Sequence, residues 1–62
     1  MNKLDEQVLK LLSESGPLTL VEIADKLDKK PKAIFKSLRR LIESESIDRD
    51  PKSRTYFIKK AE

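Results

Sequence analysis

Six basic side chains crowd into residues 29–40 with no acid among them: Lys29, Lys30, Lys32, Lys36, Arg39 and Arg40. Ammonium and guanidinium groups gathered in this way offer one chemistry, the binding of anions. Lys52 and Arg54 form a second, smaller basic group, beside Asp50-Pro51. Covalent chemistry is much harder to assemble. The chain has no Cys and no His. That removes disulfides, the usual zinc sites and both Ser-His-Asp and Cys-His nucleophiles. Its single glycine, Gly16, leaves no Gly-rich phosphate loop. Ser37 follows Lys36, but nothing around that pair suggests a pocket. The expectation is a binding protein, not an enzyme, with no cofactor and no metal.

The 62 residues allow one small domain with one hydrophobic core. Charged residues reach 40% against 37% apolar, a balance that disordered chains share. The net charge of +3 is unevenly spread. Residues 1–28 hold three basic groups against six acidic ones, a balance of −3; residues 29–62 hold eleven against five, a balance of +6. The basic half therefore calls for a polyanionic partner. The alternative is an ordinary solvated face, and the elements carrying the charges decide between the two.

Those elements are legible because the apolar residues recur at helical spacing. Leu4, Val8, Leu11 and Leu12 share a face, with Asn2 as cap and Asp5 placed to receive backbone donors in the first turn. Gly16-Pro17 stops this helix, expected over 3–15. Thr19-Leu20-Val21-Glu22 is a capping box for a second helix over 20–27, in which Leu20, Ile23, Ala24 and Leu27 share a face. Pro31 opens a third helix over 31–44, with Ile34, Leu38, Leu41 and Ile42 on one side. Its opposite side reads as Lys32, Ala33, Lys36 and Arg40, with Ser37 and Arg39 at the flanks. Two β-rich runs around Asp50–Arg54 then predict a hairpin over 46–59 with a five- or six-residue loop. In that hairpin Tyr56 and Ile58 point one way and Phe57 the other. One set packs on the helices, and the other is exposed or forms a weak homodimer contact. Lys59 and Lys60 solvate a chain end or protect an edge strand. The fold class is thus α+β, mostly α: a three-helix core with a C-terminal β-hairpin, one domain over 1–62.

Two helices joined by a short break, the second presenting Lys, Ser and Arg, describe a helix-turn-helix. The major groove of B-form DNA admits one such helix. The pattern Leu20-x-x-Ile23-Ala24-x-x-Leu27, Pro31-x-x-Ile34-x-x-x-Leu38-x-x-Leu41, then Ile47 and a basic hairpin, resembles the winged helix-turn-helix family. The likeness is to archaeal and bacterial transcription regulators of the MarR, ArsR and TrmB kinds, and it covers nearly the whole chain. It implies that the third helix is the recognition helix and that Asp50–Arg54 is the wing. Base edges would be read by Lys32, Ala33, Lys36 and Ser37, while Lys30, Arg39, Arg40, Lys52 and Arg54 lie nearer phosphates. The family often has Gly where this helix ends; here the residue is Glu45. Where it often has a small polar residue there is Phe35, which either packs under the wing or stands as an exposed anchor, and packing is the favoured expectation. Relatives that bind left-handed DNA usually carry Asn and Tyr on this helix and a Pro-Trp wing. Phe35, Arg39 and a lone Pro51 depart from that pattern.

The resulting expectation is double-stranded DNA binding in transcription regulation. The main rival is a winged helix used as a protein-interaction module in a replication, transcription or membrane-remodelling assembly, favoured if Phe35 or Phe57 lies in a continuous exposed patch. Structured RNA is a third reading, less suited to helix insertion. No apolar run approaches a membrane span of about 20 residues, and the N-terminus has no secretory signal, so a cytoplasmic protein is expected. One Asn, one Gln and one Met beside abundant Lys and Glu is a bias common in thermophile proteins. The extra helices that MarR- and ArsR-type proteins use to dimerise and bind effectors have no counterpart here. A lone module is expected to bind weakly, reading a half-site, with no effector site.

Overall fold

The computed structural model describes residues 2–59; Lys60, expected above to solvate a chain end, lies outside them. The elements run α1 (Lys3–Ser15), β1 (Leu18–Thr19), α2 (Leu20–Leu27), α3 (Pro31–Glu43), β2 (Ile47–Asp50) and β3 (Thr55–Ile58). Three helices stand against a three-stranded antiparallel sheet of order β1-β3-β2.

The helix boundaries follow from local chemistry. The Leu4 N–H donates to the Asn2 side chain at 2.8 Å, capping α1. Gly16, at φ 77, ends that helix by donating its N–H to the Leu12 carbonyl. A Cβ there would meet nothing within 4 Å, so it is the left-handed backbone that favours glycine. The Thr19–Glu22 capping box forms in both directions, at 2.9 and 3.2 Å. β1 is not legible in the sequence: two residues carry no periodicity, and Leu18 and Thr19 pair with β3 only after the hairpin arrives.

Helix α3 closes without the glycine that such ends favour. Glu45 takes φ 60; its N–H reaches the Ile42 carbonyl at 3.0 Å, and the Ser46 N–H reaches Leu41 at 2.9 Å. This double hydrogen bond satisfies carbonyls that the helix end leaves free. The left-handed backbone costs an L-residue about 1–2 kcal/mol, and the Lys59 contact to Glu45, at 3.3 Å between exposed groups, offsets little of it. Glu45→Gly is expected to stabilise the domain by about 0.5–1 kcal/mol once glycine's extra unfolded-state entropy is subtracted. A higher urea midpoint with an unchanged slope would show it.

The core is Val8, Leu12, Leu18, Ile23, Ala24, Ile34, Leu38, Leu41 and Ile47, one cluster drawn from all three helices and the sheet. Ile47 and Ile58 pair across β2 and β3 and turn toward the helices, and Tyr56 follows on the same side. Phe57 points the other way, half-buried beside Leu12 and Pro17. The hairpin loop is four residues, Pro51–Arg54, shorter than expected. Asp50 makes it tight: its side chain accepts the Lys52 N–H at 2.9 Å, and its carbonyl accepts the Arg54 N–H at 2.7 Å.

Candidate nucleic-acid interface

Burial divides α3 into two faces. Ile34, Ser37, Leu38 and Leu41 are buried. Lys32, Phe35, Lys36, Arg39, Arg40 and Glu43 are exposed, and Ala33 is intermediate. Lys32, Lys36, Arg39 and Glu43 occur at intervals of four, three and four, so they form the outermost ridge. Glu43 confines the basic part of that ridge to the first two and a half turns.

Four expectations change here. Ser37 cannot read a base edge: it is 0% exposed and donates its hydroxyl to Asp5. Arg40 is not a free phosphate ligand. Its Nε and Nη2 donate to the Asp5 carboxylate at 3.0 and 2.8 Å. Asp5 in turn is not a backbone cap for α1; it is buried, 5% exposed, and joins α1 to α3. The Arg40 hydrogen bond, with help from Ser37, holds the Asp5 carboxyl below the usual range despite its burial, and the same contact raises Arg40. Finally, Phe35 is not packed under the wing but is 47% exposed. The strands bring Arg49 and Tyr56 to that side of α3, where they line a cleft with the ring.

The remaining cations are available. Among the described residues the ion pairs are Arg40–Asp5 and Lys59–Glu45, so Lys30, Lys32, Lys36, Arg39, Lys52 and Arg54 are uncommitted. All six are exposed. The N-terminus of α3 also differs from the others. Helices α1 and α2 carry acids in the first turn and a side-chain cap, as the helix dipole favours. Helix α3 has no acid there, and its cap residue, Lys30, makes no side-chain bond. Cations at this end are a local cost that an incoming anion would remove.

Arg49 escapes the sequence reading. Alternation along β2 from the buried Ile47 puts Arg49 on the helix-ward side, opposite Tyr56. There it lines the cleft between α3 and the hairpin with Phe35, Arg39, Ile42 and Tyr56. It also reaches a second cleft, with Thr19, Val21 and Arg54. The alternation itself is the available signal. Among the described residues no group of acids could hold a metal ion, and no helix is long and apolar enough to cross a membrane.

Comparison with known proteins bears on the fold and the family. The profile of the family described as winged helix-turn-helix DNA-binding matches residues 1–47. The fold superposes on an IclR transcriptional regulator from Alicyclobacillus acidocaldarius with a TM-score of 0.87 and 36% identity, over 92% of this chain and 24% of that one. The chain thus spans about a quarter of the regulator's length. It also superposes on the Zbeta domain of human DAI, with a TM-score of 0.85 over 92% of this chain and 95% of that one. At 24% identity that likeness is one of fold. No curated protein matches the sequence.

Proposed function

This chain belongs to the winged helix-turn-helix DNA-binding family, and from that premise we propose that it binds double-stranded DNA with α3 in the major groove and the hairpin loop on the flanking backbone. Lys32, Ala33 and Lys36 then face base edges. Lys30, Arg39, Arg49, Lys52 and Arg54 lie nearer phosphates. Arg40, already neutralised by Asp5, adds little. The observation that carries the reading is the uncommitted basic ridge of α3 beside the uncommitted Lys52 and Arg54. Affinity comes mainly from counterions released from phosphates. Sequence preference comes from the few side chains at base edges. The likeness to a transcriptional regulator supports a role in transcription regulation.

A fluorescence-anisotropy titration of short duplexes tests the docking. Lys52→Ala with Arg54→Ala is expected to weaken binding about equally for unrelated sequences, and to make the salt dependence shallower by about one per lost phosphate contact. Unchanged affinity would remove the wing from the interface. A protein partner is the second reading, favoured by the exposure of Phe35 and of Val21, at 47% and 67%.

A further inference from the structure

Phe35 is the large apolar side chain of α3 that is left exposed. It stands outside the packed core cluster and leaves nearly half its surface to water. It lies three residues after Lys32, one before Lys36 and four before Arg39, so cations border it along the outer face of α3. Across the cleft stand Arg49 and Tyr56. An apolar ring bordered by cations fits a polyanion that also carries an apolar group. On the edges of a B-form duplex the group that answers this description is the C5-methyl of thymine, which projects into the major groove. We propose that Phe35 is a specificity-determining residue that packs against a thymine methyl while Lys32, Lys36 and Arg39 hold the surrounding strand.

This assignment rests on the duplex reading above. The competing occupant, an acidic protein segment, would leave Phe35 indifferent to the methyl. The test begins with selection of a random duplex library on the chain. A retained duplex is then resynthesised with deoxyuridine replacing thymidine at each position in turn, which keeps base pairing and deletes the methyl. Burial of one methyl-sized group corresponds to roughly a fourfold change in affinity. The wild type is therefore expected to bind roughly fourfold more weakly when one or two particular thymines are replaced. Phe35→Ala should bind both duplexes equally, and Phe35→Leu should keep part of the discrimination. Circular dichroism would establish that both variants are folded. Equal binding of the two duplexes by the wild type overturns the assignment and leaves duplex binding standing. So does discrimination that persists in folded Phe35→Ala. Failure to enrich any duplex overturns both readings.

Discussion

Asp5→Ala is expected to destabilise the domain by about 2–3 kcal/mol. The substitution deletes hydrogen bonds made to a charged acceptor and leaves the Ser37 hydroxyl buried without a partner, each worth about 1–3 kcal/mol. Arg40 can turn into water, which keeps the loss from growing further. A chain of this size has a total stability of roughly 3–9 kcal/mol, so the variant should melt about 10–20 °C lower. The charge itself is testable by pH. The folded pKa of Asp5 lies below its unfolded value of about 3.9. Its contribution is therefore complete at neutral pH, begins to fall below about pH 5, and is lost as pH drops through the folded value. The stability gap between wild type and Asp5→Asn should be full at pH 6 and close in acid. A gap that stays constant down to pH 2 would mean that the carboxylate charge contributes nothing.

Lys32→Glu combined with Lys36→Glu should do the reverse, abolishing binding while sparing the fold. Loss of each contact is worth about 1–3 kcal/mol, and reversal adds repulsion from phosphates. Duplex affinity is expected to drop by more than about a hundredfold. Both side chains are exposed, so stability should move by no more than about 0.5 kcal/mol. The first turn of α3 contains no acid, and the Lys32→Glu change would supply one where the helix dipole favours it. A folded double variant that binds duplex as tightly as the wild type would remove α3 from the reading surface.

The contrast between these two experiments shows what the sequence could and could not reveal. Helical spacing locates α1, α2 and α3 closely, because apolar periodicity and caps are local. The basic ridge is legible for the same reason. Ser37 and Arg40 are misplaced by sequence reasoning because their partner, Asp5, is 32 and 35 residues away. A polar residue type argues for exposure until such a partner is known, and for Ser37 the wheel position beside Leu41, at the edge of the apolar face, is the better guide. Phe35 fails in the opposite sense. Its apolar type argues for burial, but what covers it depends on which strand residues face α3. Arg49 is overlooked because it falls outside the basic run, though alternation from Ile47 already puts it on the helix-ward side. The strained helix end at Glu45 can be anticipated, since the missing glycine is visible; the hydrogen bonds that secure it are not.

The central claim is that this small domain binds the phosphate backbone through α3, the cleft and the wing. The most direct measurement is the affinity for a random duplex as a function of salt. About five phosphate contacts predict that log K falls against log[salt] with a slope near −4.5, at about 0.9 per contact. Raising salt from about 50 to 200 mM should then weaken binding about five hundredfold. An affinity that does not change with salt, or no measurable binding at the lower concentration, would contradict the account.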